Sequence, residues 1–307
     1  MRPIFERSEK EGVKNNLYSN ILVALFDITI SSFKNNIHFM KLKLLALTLL
    51  AANVLAAQEN LTNPEKTEFY EPVPKIVAPA TKIGEAPSDA LILFDGKNFD
   101  NFVHDVDGSA VLWTMDNNRV LGRQYTEKGP AVKWKLNDDG SMTVVGGTGG
   151  IKTKQLFGDC QLHIEWRSPM ESDSLKGQKK GNSGVFLQER YEVQVLNSYK
   201  NNTYTNGQAG SIYKQTPPLA NACRPMGEWN SYDIIYTAPR FRRNGSQEQA
   251  PTVTVLHNGI VVQNATVIQG STEYIGAPKV SAHGKGAIKL QDHGNAVSFR
   301  NIWIREL

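Results

Sequence analysis

Short runs of apolar residues, separated by glycine, asparagine and aspartate, dominate the chain from residue 91 onwards. Most of these runs alternate apolar and polar residues, or are rich in β-branched and aromatic side chains, as half-buried strands are. The clearest runs are LILF, QLHIEWR, SGVFLQ, YEVQVLN, SYDIIYTA, TVTVLHNGIVVQN, AIKLQDHG and AVSFRNIWIREL. No amphipathic helix longer than two turns stands out among them. We therefore predict one all-β domain over residues 91–307.

The turn residues between these runs indicate how the strands are arranged. Asn258 and Gly259 lie between two strand patterns and form the pair that tight β-hairpins favour. Many short strands with regular turn signals are typical of a two-sheet sandwich or jelly roll. Residues 104–136 are less regular, and either a long loop or an inserted hairpin fits them.

The segment before the domain has the composition of an export signal. Lys41 and Lys43 precede an apolar run of 13 residues, and Ala56 and Ala57 follow at the cleavage position. The run is shorter than the roughly 20 residues that a membrane-spanning helix needs. We therefore predict a signal peptide at residues 40–57. The mature protein would have no membrane span and would be exported, periplasmic or extracellular in a bacterium.

Two further segments flank this signal. Residues 1–39 precede a complete signal peptide, so we interpret them as a mis-annotated upstream extension, with translation starting at Met40. The alternative is a long basic region that belongs to the signal itself. Residues 58–90 contain five prolines and no sustained periodicity, which predicts a proline-rich linker.

Charge and cysteine content exclude several classes of protein. Residues 1–57 hold seven basic and four acidic residues, so most of the formal charge of +4 belongs to them. The remainder is nearly neutral, which argues against a nucleic-acid binder. The two cysteines, Cys160 and Cys223, are too few for a disulfide scaffold. We favour two separate thiols and leave a single disulfide open.

Two strand patterns carry polar stripes. Alternate residues of a strand share a face, so His163, Glu165 and Arg167 lie together in QLHIEWR, and Glu192 and Gln194 lie together in YEVQV. A solvated surface accounts for any single stripe. A concave sheet, however, would collect several stripes into a cleft with the planar polar groups that sugars require.

Further polar candidates lie elsewhere in the chain. Asn182, Gln291, Asp292 and His293 lie at strand ends, and Arg300 lies in the last strand, with Asn301 on its opposite face. The sequence contains no Gly-x-Ser-x-Gly elbow, no His-Glu-x-x-His zinc helix and no phosphate-binding loop. We predict no cofactor. A divalent metal stays open, because His163 with Glu165, or Asp292 with His293, offers a pair of ligands.

Several segments together resemble a known family. They are LFDGKNF, FGDCQLHIEWR, GNSGVFLQERYEVQVL, GQAGSIYKQ, GEWNSYDIIY, VLHNGIVVQN and LQDHGNAVSFRNIWIREL. In this order, over residues 91–307, they resemble the 3-keto-disaccharide hydrolase family, formerly a domain of unknown function. The irregular stretch 104–133 departs from the family, which passes more directly into its next strand.

The resemblance implies a fold and a reaction. The fold is a two-sheet jelly-roll sandwich of the concanavalin A-like lectin/glucanase type, with a concave polar face. The substrate is a 3-keto glycoside, produced by a separate sugar 3-dehydrogenase, since this chain has no dinucleotide fingerprint. A base removes the C2 proton that the ketone acidifies, the C1 oxygen departs by elimination, and water adds to the enone. This route differs from that of paired-carboxylate glycosidases.

The resemblance also suggests roles for the candidate residues. Glu192 is the first choice for the base, and His293 is the second choice, as base or as acid to the leaving oxygen. Arg300 or Arg167 would stabilise the enolate. The remaining candidates would bind substrate hydroxyls or orient the other groups: His163, Glu165, Asn182, Gln194, Gln291 and Asp292. An ion pair with an arginine on a neighbouring strand is the structural alternative for Glu165.

Two other functions compete with this one. A carbohydrate-binding module would use the same fold and the same aromatic and amide groups without chemistry. An ordinary glycoside hydrolase or lyase on this fold would place two carboxylates on one strand face. The YEVQV strand offers Glu192 followed by Gln194 instead, which argues against that version.

Overall fold

The computed structural model describes residues 44–50, 64–105, 111–116, 119–125, 130–172 and 174–307. The chain divides into two compact units, Met1–Lys75 and Ile76–Leu307.

Only a small part of the first unit is described. Residues 44–50 are helical, and Pro64–Thr67 form a 3₁₀ turn. The helical residues fall inside the predicted signal peptide 40–57, whose role in export stays a prediction. The predicted upstream extension 1–39 lies outside the described residues. Within the described segments, no helix has both the length and the apolarity needed to cross a membrane.

The second unit consists almost entirely of strands joined by turns. The strands are β1 (Leu91–Phe94), β2 (Phe102–His104), β3 (Val111–Asp116), β4 (Arg119–Tyr125), β5 (Lys135–Leu136), β6 (Met142–Thr143), β7 (Ile151–Thr153), β8 (Cys160–Arg167), β9 (Ser183–Leu187), β10 (Tyr191–Val195), β11 (Asn230–Thr237), β12 (Arg240–Phe241), β13 (Gln247–Gln249), β14 (Thr252–His257), β15 (Ile260–Val267), β16 (Lys289–Leu290) and β17 (Ser298–Glu306). Short 3₁₀ turns cover Gly177–Lys179 and Thr205–Gly207.

The strands form two main antiparallel sheets. The larger sheet has the order β15-β14-β11-β8-β17-β6-β5, and β1 also pairs with β17. The smaller sheet has five strands in the order β10-β9-β16-β7-β2. Two hairpins stand apart, β12–β13 and β3–β4. The β3–β4 hairpin occupies the irregular stretch 104–136, so of the two alternatives for that stretch the inserted hairpin is the one present.

The core lies between the two sheets. Leu162, Ile164 and Trp166 of β8 are fully buried, as are Val185 of β9 and Val193 of β10. All five belong to one apolar cluster, and burying each such side chain stabilises the fold by roughly 1.5–3 kcal/mol.

Buried tyrosines also connect the sheets. The Tyr232 hydroxyl of β11 donates to the Gln194 carbonyl of β10 (2.7 Å), and the Tyr236 hydroxyl donates to Gln188 Oε1 (2.7 Å). The predicted all-β, two-sheet jelly-roll sandwich is therefore confirmed.

The predicted tight hairpin is also present. Strands β14 and β15 are connected by Asn258 and Gly259, with φ angles of 53° and 79°. Both values lie in the left-handed region, which a type I′ turn requires and which asparagine and glycine tolerate. The local Asn-Gly signal therefore identified this connection correctly.

Residues 76–90, which we call the strap, contact the outer face of the larger sheet. The Asn301 and Trp303 side chains each donate a hydrogen bond to the Gly84 carbonyl, at 2.8 and 2.9 Å. Arg305 forms two hydrogen bonds with the Asp89 carboxylate, at 2.7 and 2.8 Å. The end of the segment predicted as a linker is thus part of the second unit.

Both cysteines are buried free thiols. Burial raises the pKa of Cys160 to about 12 and the pKa of Cys223 to about 11. The favoured interpretation of two separate thiols is the one that the structure shows.

Candidate functional site

A row of polar and aromatic side chains crosses the outer face of the smaller sheet. Strand register places Glu192 opposite Phe186, Phe186 opposite Lys289, and Lys289 opposite Lys152. Their neighbours along each strand point into the core, so these side chains share the opposite face. Tyr213 extends the row, because its N–H donates to the Glu192 carbonyl (3.1 Å).

A second row runs beside the first and contains little side-chain bulk. Gln194 lies opposite Gly184, and the Gln291 N–H donates to the Gly184 carbonyl (3.0 Å). On the far side of Gln291, the Gly150 carbonyl accepts a hydrogen bond from the Asp105 N–H (2.8 Å). We call these two rows together the polar face.

Glu192 is the most unusual group on the polar face. Its side chain is almost completely enclosed, with 3 % of the residue exposed, and it forms no ion pair with any described residue. Burial raises the pKa of Glu192 to about 8, against a smaller opposing effect of the Lys289 ammonium group. Glu192 is therefore a carboxyl group that gains and loses its proton near neutral pH.

Glycine at position 184 makes room for this carboxyl group. A Cβ atom at Gly184 would collide with Glu192 Oε1 and would lie 3.0 Å from its Cδ. Gly184, the second residue of β9, therefore faces the carboxyl group of Glu192. When its amide is turned towards the carboxyl group, Gln194 donates to Glu192 Oε1 (3.0 Å).

Two lysines and two carboxylates form a charged network at the other end of the polar face. Lys152 Nζ lies 2.9 Å from Asp105 Oδ1 and 3.3 Å from Glu189 Oε2. Lys289 Nζ lies 2.6 Å from Asp105 Oδ2, and its side chain is 29 % exposed. Burial alone would raise the pKa of Asp105, but hydrogen bonds from Lys289 and Lys152 hold it below its usual value. The network therefore keeps a partly accessible ammonium group on the face that carries Glu192.

Two of the predicted site residues on this side of the sandwich are held by their surroundings. Asn182 donates to the Gln178 carbonyl (2.8 Å). Asp292 accepts from the N–H groups of Gly149 (2.9 Å) and Gly294 (2.8 Å), which gives it a role in shaping a turn. In contrast, Gln291 Oε1 is buried without a hydrogen-bond partner among the described residues. His293 is exposed.

The other predicted residues lie on the opposite side of the sandwich. His163, Glu165, Arg167 and Arg300 belong to β8 and β17 of the larger sheet, with core-facing neighbours on each strand. Their side chains therefore point away from the smaller sheet. The expectation that one concave sheet gathers all the stripes is wrong, because the stripes belong to two sheets whose outer faces point in opposite directions. Arg300 and Arg167 cannot act on a group bound at Glu192.

The structure shows instead an ion-pair network under the strap. His163 Nδ1 lies 2.6 Å from Asp233 Oδ1, and Arg300 Nε lies 2.5 Å from Glu165 Oε2. Burial would lower the pKa of His163, but hydrogen bonds with Asp233 and Glu165 raise it to about 9. Burial would raise the pKa of Glu165, but its partners His163, Asn301 and Arg300 lower it to about 2. The structural alternative for Glu165, an ion pair with an arginine, is what the structure contains.

No group of three or more His, Cys, Asp or Glu side chains among the described residues could hold a metal ion. Of the two candidate ligand pairs, His163 and Glu165 are engaged with each other and with neighbouring side chains. Asp292 is engaged with backbone N–H groups.

A polar cavity of about 310 Å³ lies apart from the polar face. It is lined by Gly158, Asp159, Gln188, Ala238, Pro239, Arg240, His283, Gly284, Lys285, Glu306 and Leu307. Its charges are already paired, Arg240 with Asp159 and Lys285 with Glu306. The polar face, with an unpaired carboxyl group of raised pKa, is the stronger candidate site.

The sequence analysis missed most of the groups around Glu192. Lys152 follows Ile151 in a very short strand, and Lys289 lies between Ile288 and Leu290, which is a signal for an outward-facing charge. Tyr213 and Asp105 lie outside regular strands. Their place on the polar face follows only from pairing between distant segments.

Comparison with known proteins agrees with this fold. A chain from Parabacteroides distasonis ATCC 8503, described as a candidate glycosyl hydrolase, has a similar crystal structure with a TM-score of 0.68. The two sequences are 51 % identical, and the match covers 80 % of this chain and 97 % of the other. A Bacteroides thetaiotaomicron protein named 3-keto-disaccharide hydrolase is 24 % identical over 269 residues, which are 73 % of this chain and 81 % of that protein.

The comparison with protein families also agrees with this fold. The 3-keto-alpha-glucoside-1,2-lyase-like domain matches residues 89–305, which is nearly the whole strand-rich unit. The similarities support an enzyme of the glycoside hydrolase type. With its fold, its polar face and a match of this length, the chain belongs to the 3-keto-alpha-glucoside-1,2-lyase-like family.

Proposed function

We propose that this protein cleaves glycosides whose sugar is oxidised to a ketone at C3, by elimination followed by hydration. The observation that carries the proposal is Glu192, an enclosed carboxyl group with a pKa raised to about 8 on the polar face. A general base is most effective when its pKa lies near the working pH. The name of the Bacteroides relative, 3-keto-disaccharide hydrolase, supports the same substrate class.

The reaction needs one base and a stabilised enolate. The ketone acidifies the proton on C2, and the ionised Glu192 carboxylate removes it. The electron pair of the C–H bond moves towards the C3 oxygen and forms an enolate. When the enolate collapses, the bond between C1 and the glycosidic oxygen breaks and an enone remains. Addition of water to the enone completes a net hydrolysis.

Lys289 is suited to stabilise the enolate, in place of the arginines expected from the sequence. It lies two strands from Glu192 on the same face, which corresponds to about 10 Å between strand axes, and the Phe186 ring lies on the strand between them. Its ammonium group is fixed by Asp105 and lies 5.6 Å from the centre of the Phe186 ring. A positive charge held at the developing oxyanion lowers the barrier without reorganising.

Gln291 is suited to bind a substrate hydroxyl group. Its Oε1 atom is buried and has no partner among the described residues, and leaving such an acceptor unsatisfied costs about 1–3 kcal/mol. The glycines on either side, Gly184 and Gly150, allow a ligand to approach the sheet closely. A sugar hydroxyl donating to Gln291 would satisfy the buried acceptor.

The test compares matched 3-keto and unoxidised glucosides, with and without a chelator, by release of the leaving group. We expect release from the keto substrate alone, and slower release when C2 carries deuterium. Glu192→Gln should abolish it, whereas Glu228→Gln, at an exposed glutamate, should not. Release from the unoxidised substrate would overturn the proposal in favour of an ordinary glycosidase. Sugar binding without release from either substrate would favour a carbohydrate-binding module.

The proposal extends to the place of the reaction. We propose that the protein works after export, because residues 40–57 have the pattern of a signal peptide. Its substrate carries a ketone that ordinary glycosides lack, so a separate sugar 3-dehydrogenase must supply it. Fractionation of the native cells and assay of each fraction with the keto substrate tests the location.

A further inference from the structure

Tyr213 is the immediate neighbour of Glu192 on the polar face. Val193 and Ile212 form an antiparallel bridge, and the Tyr213 N–H donates to the Glu192 carbonyl (3.1 Å). Residues directly opposite each other in an antiparallel pair have Cβ atoms about 4.5–5.5 Å apart on one face of the sheet. The phenol of Tyr213 therefore leaves the sheet on the face that carries Glu192, close enough for a charge on Glu192 to add to the rise in pKa that burial gives the phenol.

A tight turn holds Tyr213 in this place. Ile212 and Thr216 exchange two backbone hydrogen bonds of 3.0 Å, and Lys214 at the tip has a φ angle of 58°. This left-handed conformation is strained for a residue with a side chain such as lysine. The Gln215 side chain donates to the Gly270 carbonyl (3.0 Å), which ties the turn to a second loop. The turn is thus built to keep one orientation.

A second phenol connects Tyr213 with the solvent. The hydroxyl groups of Tyr204 and Tyr213 lie 2.7 Å apart, and Tyr204 is 40 % exposed. The ring of Tyr204 packs directly on Gly207, where a Cβ atom would collide with it. Burial raises the pKa of Tyr213 above its usual value, so its phenol carries a proton at neutral pH.

We propose that Tyr213 is the general acid that protonates the leaving oxygen and that Tyr204 replaces its proton from the solvent. The inference rests on the proposed function. As Glu192 takes the C2 proton and the C1–O bond breaks, the Tyr213 hydroxyl gives its proton to the departing oxygen. When water adds to the enone, its hydroxyl group bonds to C1 and its proton passes through the Tyr204 hydroxyl to the tyrosinate. Glu192 returns its proton to C2, so both residues regain their starting protonation states. C2 and the glycosidic oxygen are attached to the same carbon, so an acid beside the base suits the reaction.

The test uses leaving groups of different basicity. Tyr213→Phe removes only the hydroxyl group, and kcat for a 3-keto disaccharide should fall by about 100- to 10,000-fold. With a 4-nitrophenyl leaving group, which departs without a proton, kcat should stay within about threefold of wild type. Tyr204→Phe should show the same dependence on the leaving group with a smaller loss. Tyr199→Phe, at an exposed tyrosine elsewhere, is the matched control and should behave as wild type.

Two outcomes would overturn the inference. One is an equal loss for both leaving groups in Tyr213→Phe, which would indicate a positioning role. The other is an unchanged rate with the disaccharide. Either result leaves the proposed function intact if the wild-type protein still releases both leaving groups from keto substrates alone. Failure of the wild type on every keto substrate would instead remove the proposed function.

Discussion

Replacing Glu192 by glutamine should make the protein more stable towards alkali. The pKa of Glu192 is about 8 in the folded protein and about 4.3 in an unfolded chain. Because the folded-state pKa is the higher one, the folded protein is most stable below the unfolded pKa, and this stability is lost as the pH rises through about 8. Each pH unit between these values costs about 1.4 kcal/mol, so the wild type should lose about 2–3 kcal/mol between about pH 5 and about pH 7. The Lys289 ammonium group offsets part of this loss of stability, whereas the phenols of Tyr213 and Tyr204 carry no charge at these pH values.

The assay is urea unfolding of wild type and Glu192→Gln at the two pH values. The difference in unfolding free energy between the two proteins should shift in favour of glutamine by about 2–3 kcal/mol at the higher pH. Glu228→Gln, at an exposed site, is the control and should show no shift. If the difference for Glu192→Gln is the same at both pH values, the carboxyl group does not have a raised pKa and the argument from burial fails.

Three further predictions concern the same molecule. The kcat/KM for a keto substrate should rise about tenfold per pH unit and level off above about pH 8, because Glu192 ionises over this range. An inflection of kcat/KM near pH 4 would contradict this prediction. Gly184→Ala should reduce kcat strongly, because its Cβ would collide with the Glu192 carboxyl group. Gly158→Ala, with ordinary space around the new Cβ, should not reduce kcat. Equal activities of the two variants would count against this prediction. Cys160 and Cys223 should resist a thiol reagent in the native protein and react after unfolding, since both are buried thiols of raised pKa; rapid labelling of the folded protein would refute this.

The strands themselves could be predicted well from the sequence. Alternation identified the core-facing residues of QLHIEWR correctly, because a strand with one buried face must repeat every second residue. Leu162, Ile164 and Trp166 are all buried, and Asn258 with Gly259 forms the expected turn. These features depend on neighbours in the chain, which are visible in the sequence.

The composition of the site could be predicted only in part. Glu192 and Gln194 were found because they form a polar stripe on one strand. His163, Glu165 and Arg167 form a similar stripe, and the pattern cannot say that their strand belongs to the other sheet. Which strands pair is decided by contacts between distant segments. For the same reason Tyr213, which reaches the polar face from a turn, carries no periodic signal.

The strap has a practical consequence for attaching the enzyme to a surface. Residues 76–90 run along the outer face of the larger sheet, where Gly84 and Asp89 are bound, while Glu192 belongs to the outer face of the smaller sheet. A cysteine or biotin acceptor introduced into the exposed part of the strap would orient immobilised molecules with the polar face towards the liquid. A resin loaded in this way would keep each molecule's substrate entrance unobstructed, even at dense packing.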